Sequence, residues 1–363
     1  MRIITRYILG ELLKPFFFGL FAFSGIMLGG ALVDLIEFAG RYQLPLFTVL
    51  KLFIFRIPET IALGSPMAML LATLMGLGNI TGHSETIAMR AGGVSFSRIA
   101  LPVLLTGLAV SGVSIMVNET IVPPAKRIYN QERTEAKSVK PQGVLRQYFF
   151  TDQDKSGVKR LIYAEEYYPA QERLVKVVIQ EMQGNEVKRA IFADELFWAE
   201  DKEFWFFNQG MIYNYDGDKV FPMRMAKGYY PTGLTRNPNE VRKLALDPED
   251  MSWAELNWYI KNGSNLKNIR ELQVMLHQKV SIPFASFFFA LLGTPLSLQP
   301  QRRTSSAGFG LSLMFIFIYY VLMGIGTFVG QSGTLPPFIA AWLQNFIIGT
   351  YGFYHFVKAA NSR

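Results

Sequence analysis

The stretch TGHSETIAMRAGGVSFSR (81–98) is a short polar interruption between two long uncharged apolar runs, and its reading decides how the rest of the chain is arranged. Its spacing predicts a small helix over 84–92, resting at a membrane surface. Ser84 stands where a hydroxyl caps a helix start, and Glu85 falls in the first turn, where a negative charge suits the positive end of the helix dipole. Gly92 and Gly93 predict its end, since glycine takes the left-handed backbone of a helix C-terminus without strain. At helical spacing Ile87, Ala88 and Ala91 share one face while Glu85 and Met89 share another. One face can therefore rest on a bundle while the other meets something outside it. An ordinary connecting turn has the same composition, so the flanking sequence must decide.

The flanks belong to a membrane protein. Half of the 363 residues are hydrophobic and only 18% are charged, and several windows reach the roughly 20 apolar residues that cross a bilayer. There is no cysteine, which excludes disulfides and thiolate metal sites, and three scattered histidines make no metal cluster. The net charge of +8 would suit nucleic acid, but basic cytoplasmic ends of a membrane protein give the same sum. No small-residue cleavage site follows the first apolar region, so MRIITRYILGELLK (1–14) reads as a retained amphipathic lead-in helix. Its stripe is Ile3, Ile4, Tyr7, Ile8 and Leu12, with Arg2, Arg6 and Lys14 around it.

Six spans are expected: 15–33, 60–82, 99–118, 280–301, and two within 304–357, where QSGTLPP (331–337) breaks an uncharged stretch too long for one helix. Ser97 is read as the cap of the third span. Asp34, Glu37, Arg41 and Lys51 mark the far surface, and Arg56 and Glu59 pair or face water at the membrane edge. Glycines 19, 25, 29 and 30 in the first span and 64, 76 and 78 in the second permit close helix approach, internally or along a mobile or dimeric seam. Arg2, Arg6, Lys14, Arg90, Arg98, Arg302, Arg303, Lys358 and Arg363 all fall on the side of the termini, which the positive-inside rule makes cytoplasmic.

Between spans three and four the composition changes. Segments 144–151, 159–169, 173–183, 186–200, 203–216 and 219–230 are rich in β-branched and aromatic residues, many alternate polar with apolar, and Gly, Asn, Asp or Pro separates them. They predict an antiparallel sandwich or open barrel of jelly-roll type, whose aromatics fill its core. After Pro248, Ser252 and Glu255 form a capping box for a short helix ending at Asn262 and Gly263, and Asn265 caps the helix that leads into span four. The expected class is thus an α+β membrane protein: an N-terminal half (1–121), an extracytoplasmic β domain (122–250), and a linker helix with the C-terminal half (251–363).

No G-x-x-x-x-G-K-[ST], G-x-S-x-G or H-E-x-x-H motif occurs, so neither an ATP site nor a catalytic constellation is expected in this chain, and no cofactor. Few charges lie within the spans, which argues against an ion-coupled transporter but not against export of a large apolar molecule. At this point SETIAMRAGGVSFSRI (84–99) resembles the coupling-helix signature of the LptF/LptG permeases, membrane subunits of the lipopolysaccharide-export ABC transporter. EDMSWAELNWYI (249–260) and ELQVMLHQKVSIPFASFFFALLGTPLSL (271–298) resemble that family's approach to span four and its passage through it.

The resemblance implies two such permeases docked on a cytoplasmic ATPase dimer of LptB type, which binds the ATP. It further implies a glycolipid drawn from the inner membrane into the β domains and handed to a periplasmic bridge of LptC and LptA type. It assigns ATPase coupling to Glu85, Met89, Arg90 and Gly92. Spans one and five (15–36 and 308–330) become a lateral gate, with Asp34, Glu37, Arg41, Arg56, Phe315 and Tyr319 as candidate cavity residues. The family places lysines near the outer end of span one, whereas VDLIEFAGR (33–41) offers only Arg41 as a cation. Either a partner subunit supplies the charge, or the substrate is a less phosphorylated glycolipid. A reading of another class is a membrane-anchored envelope-assembly or sensor protein with a binding β domain.

Overall fold

The computed structural model describes residues 2–137, 145–154, 157–169, 171–184, 186–199, 204–217, 219–244, 246–262, 268–298 and 305–361. Two compact units result, one of residues 1–132 with 268–363 and one of 133–267. Asn265, Gly263, Arg302, Arg303 and Arg363, each given a part in the sequence reading, lie outside the described residues, as does the end of span four at 299–301.

The first unit is a helical bundle built around α2 (Leu46–Gly82), whose run Ser65–Leu74 is buried without a break. The lead-in helix and first span are one continuous helix, α1 (Arg2–Tyr42), instead of an interfacial segment followed by a span. Pro15 does not break it. Ile8 and Leu12 explain the continuity, because they are buried against Leu77 and Ile80 of α2 and leave Ile3 outward. Helix α4 (Phe96–Thr120) follows the short α3 (Glu85–Ala91), and its N-cap is Ser95, not Ser97, which lies inside the helix. Helix α5 (Val122–Lys137) leads out of the bundle; its Glu132 pairs with Lys51 and its Lys126 lies 3.3 Å from Glu59.

After the β domain, α8 (Ile269–Ser297), α9 (Ser305–Gln331) and α10 (Pro337–Asn361) complete the bundle, with Gly333 at φ +83 in the turn that QSGTLPP predicted. Five described helices, α1, α2, α4, α8 and α9, are long and apolar enough to cross a membrane. The helix expected as the sixth span, α10, matches α4 in length but carries buried Gln344 and Asn345. These polar groups serve packing. Asn345 donates to the Ser281 carbonyl (2.6 Å) and Ser281 donates to that of Ala341 (2.7 Å), which clasps α10 to α8. Among the early glycines, a Cβ on Gly19, Gly64 or Gly76 would strike the neighbouring helix, whereas Gly25, Gly29, Gly30 and Gly78 face open space.

The second unit carries one antiparallel sheet of β1 (Leu145–Gln153), β2 (Lys159–Tyr168), β3 (Arg173–Gln183), β4 (Glu186–Ala199), β5 (Phe204–Phe207), β6 (Gly210–Asp216), β7 (Lys219–Met225) and β8 (Tyr230–Pro231). Its order is β1-β2-β3-β4-β5-β8, with β6 also on β4 and β7 on β6. The segment 203–216, expected as one strand, is two, since long β4 pairs with β6 at Arg189–Ala193 and with β5 at Leu196–Ala199.

A direct cross-strand row, Phe150, Ile162, Ile179, Ile191 and Ile212, faces the core and is buried throughout. The strict alternation then fails along one line. Consecutive inward residues are three apart, not two, on β2 (Ala164, Tyr167), β3 (Leu174, Val177) and β4 (Ala193, Leu196). Gln147 and Lys176 sit near that line at φ +51 and +49, so the sheet is creased there and folds over its own core.

Leu234 and Val241, the latter on α6 (Pro238–Leu244), close the core. Tyr148 donates to the Val241 carbonyl (2.6 Å) and the Trp205 indole to that of Arg236 (2.8 Å). The capping box is realised on α7 (Trp253–Asn262): Glu255 accepts from the Ser252 N–H (2.9 Å), and Ser252 Oγ accepts from the Glu255 N–H (3.2 Å).

Burial holds the Tyr148 phenol above its ordinary range, with Tyr167 adding to the effect. Below about pH 10 both folded and unfolded chains keep this proton; above it only the unfolded chain ionises, so stability falls as pH rises. Tyr148→Phe is therefore expected to flatten the alkaline decline in denaturant midpoints, with a loss of about 1 kcal/mol at neutral pH for the missing hydrogen bond. Tyr259, shifted the same way by burial, leaves a residual slope.

Candidate functional site at the α3 turn

Helix α3 is held at both ends by its backbone. Ser84 takes the left-handed conformation (φ 62) and its side chain makes no capping bond, contrary to the expected hydroxyl cap; its carbonyl instead accepts from Ala88 N–H (3.1 Å). The C-terminus is a Schellman motif: Gly93 at φ +84 donates to the Arg90 carbonyl (3.0 Å), and Val94 N–H donates to that of Met89 (2.9 Å). Met89 and Val94, the apolar pair that accompanies this motif, both pack on the cluster of Ile8, Leu12, Leu77, Ile80, Ile99 and Val103. Gly92 is the exposed C-cap.

The faces separate as their spacing required, and the fold decides which is which. Thr86 is buried, where it donates to Thr81 Oγ1 (3.2 Å), and Met89 points inward with it. Ile87, Ala88, Arg90 and Ala91 are exposed, Ile87 at 53%. Glu85 is half-buried at the border and accepts a hydrogen bond from Tyr7 Oη at 2.7 Å. Tyr7 lies 78 residues upstream and was read only as part of an apolar stripe. Its amphipathic ring, one position before buried Ile8, was the signal available in sequence.

The six candidate cavity residues are not gathered in one place. Asp34, Glu37 and Arg41 are exposed along the C-terminal end of α1. Arg56 bonds Glu59 (2.7 Å) and stands 5.6 Å over the Tyr129 ring, which fastens α5 to α2. Phe315 and Tyr319 are core residues, with Tyr319 5.0 Å from the Phe289 ring. The outward apolar surface comes from other positions: Phe18, Phe21 and Ile26 on α1, and Phe317, Val321 and Phe328 on α9. No group of His, Asp and Glu suited to a metal occurs among the described residues.

Comparison with known proteins places this architecture. Two curated relatives are Lipopolysaccharide export system permease protein LptG of Escherichia coli K12, and the same protein of E. coli O6:H1 strain CFT073. Each is 23% identical over 335 residues, covering 90% of this chain and 89% of the relative. The LptG protein of Haemophilus influenzae Rd is 22% identical over 349 residues, covering 92% and 91%. The profile of the family described as Lipopolysaccharide export system permease LptF/LptG matches residues 6–358, almost the whole α+β chain, and the protein belongs to this family.

Proposed function

We propose that this chain is a membrane subunit of an ABC exporter of lipopolysaccharide or a related glycolipid, powered by a separate cytoplasmic ATPase dimer of LptB type. The observation that carries the reading is the footing of α3. Its outward face, with Ile87, Ala88 and Ala91, is exposed, while Met89 and Glu85 tie its inner face to the foot of α1. At about 1.5 Å per residue this single 41-residue helix is about 60 Å long, and its outward apolar face forms one side of the lateral gate. A push on α3 then reaches the gate helix through Tyr7 and Met89 as well as through α2.

In this assembly a second LptF/LptG-type permease supplies the other half of the cavity. The termini face the cytoplasm, and the β domain stands in the periplasm of a Gram-negative inner membrane. There β1, paired among the described residues only to β2, and β7, paired among them only to β6, offer edges to a bridge protein of LptC or LptA type. The chain itself transports without catalysis and the ATP belongs to its partner.

Copurification with the ATPase tests the reading. Glu85→Arg is expected to abolish recovery of the ATPase subunit with the permease. Tyr7→Phe is expected to retain the complex while lowering lipid release per ATP by about tenfold or more, since a hydrogen bond to a charged group is worth at least about 1.5 kcal/mol. If no ATPase accompanies even the native chain, the exporter reading gives way to the envelope-assembly one.

A further inference from the structure

Helix α10 reaches the footing of α3 at one end and grips α9 toward the other. Phe356, near its C-terminus, meets Phe96 edge to face, with ring centroids 5.0 Å apart. Phe96 is the first residue of α4, directly after the α3 turn, and is only 5% exposed. Toward the opposite end Ala340 lies in the seam with α9. There a Cβ on Gly326 would strike the Ala340 carbonyl, and one on Gly330 would stand 2.6 Å from the Ala340 Cβ. Helix α8 holds the same part of α9: Gln278 donates to Thr327 Oγ1 (2.7 Å), and Val274 would meet a Cβ on Gly330 at 2.8 Å.

Between these ends α10 and α8 are one stiff pair. Asn345, Ser281 and the Ala341 carbonyl clasp them together. Gly349 and Gly352 lie so close to α8 that a Cβ would stand 2.6 Å from the Phe288 ring and 3.0 Å from the Leu292 backbone. Three helices press on α8 within a single turn: α4 at Ala290 through Gly107, α10 at Leu292 through Gly352, and α2 at Gly293 through Thr73. Such a contact makes a pivot, because close-packed interiors barely compress and pass a displacement on. At about 1.5 Å per residue the arm of α10 from Gly352 to Phe356 is about 6 Å, and that from Gly352 to Ala340 about 18 Å. A shift at Phe96 is therefore magnified about threefold where α10 grips α9.

We propose that α8 and α10 form a lever that carries movement of the α3 turn to α9, with Phe356 and Ala340 as its positioning residues. The proposal rests on the exporter reading and adds to it a route through the C-terminal half, separate from the Tyr7 route through α1. Helix shifts of about 1–2 Å are usual at switching interfaces, so a threefold lever moves α9 by about 3–6 Å.

The chain has no cysteine, so Leu50→Cys on α2 and Phe328→Cys on α9, both exposed, take spin labels at those two positions alone. Pulsed dipolar distance measurements on the full-length chain with its copurified ATPase in nanodiscs compare the nucleotide-free state with ATP plus vanadate. The native distance is expected to change by about 3–6 Å. Phe356→Ala should lose that change while keeping the ATPase, and Phe356→Tyr, which retains the ring, should restore it. If Phe356→Ala does not elute as monodisperse protein, Phe356→Leu, which keeps the bulk without the ring edge, takes its place. A response in the Phe356 variant equal to the native one overturns the lever, as does a native α9 label that stays still with the ATPase bound. Loss of the ATPase from Phe356→Ala also overturns it, by placing Phe356 in the docking surface. Absence of the ATPase from the native chain is the failure of the exporter reading itself, seen before any label is attached, and it takes the lever with it.

Discussion

Replacing Asp152 by alanine is expected to unfold the β domain at temperatures the native chain withstands. Its carboxylate, 1% exposed, accepts from the Thr235 N–H (2.8 Å) and Thr235 Oγ1 (2.7 Å), and lies 3.7 Å from Arg236 and 3.9 Å from Arg160. Alanine there orphans a buried backbone donor and leaves two guanidinium groups facing one another, with Arg160 only 8% exposed. Glu181 at 2.9 Å still holds Arg160, so the charge is half compensated. Breaking a buried pair from one side costs about 3–5 kcal/mol, a large share of the about 5–15 kcal/mol that a domain possesses. Asp152→Asn keeps acceptor geometry and should lose less. Limited proteolysis of 145–244 with a thermal melt reads the difference, and an unshifted melt for Asp152→Ala would show that the cluster holds nothing together.

Gly107→Leu is the second large effect, this time within the bundle. A Cβ at Gly107 would lie 2.6 Å from the Ala290 Cβ and 3.0 Å from the Ser286 carbonyl oxygen of α8. Neither atom is the far end of a flexible side chain, so α4 must leave α8. Lipid gives helices little hydrophobic reason to associate, and close packing carries that association. Overpacking of about 3 kcal/mol outweighs the gain of about 0.8 kcal/mol in helix propensity that glycine concedes to leucine. Size-exclusion chromatography and thermal stability in detergent should show the loss. Gly112→Leu on the same helix meets nothing within 4 Å and should behave as native. Equal behaviour of the two variants would disprove the α4–α8 seam.

Much of this was legible in the chain. Long charge-free runs announced the spans and period-two segments the strands, because lipid and a sheet face each impose one periodicity along many residues. The Ser252–Glu255 box and the QSGTLPP turn were read correctly because both partners of each interaction lie within a few residues. The Ser84 and Ser97 caps were misread: a serine near a helix start satisfies the pattern wherever the last turn happens to close.

Similarly, the carboxylate Glu85 was picked out by position, but Tyr7 was not, since 78 residues separate them and only packing of Ile8 and Leu12 on α2 brings them to 2.7 Å. Phe315 and Tyr319 became gate candidates through the resemblance, because every position of an apolar helix looks alike; both are buried in the bundle, Tyr319 against the Phe289 ring.

The sequence by itself therefore determined what is periodic or local: the membrane class, the inserted antiparallel domain, the short helix at 84–92 and the glycines that end it. Tertiary structure decided what depends on which faces meet. It turned Ile87 outward and Met89 inward, ran the first helix unbroken through Pro15, and creased the sheet so that inward residues fall three apart on three neighbouring strands. Periodicity follows from one segment's own geometry, whereas the choice of buried face and the place of a crease are set by the partners across the interface, which no single segment encodes.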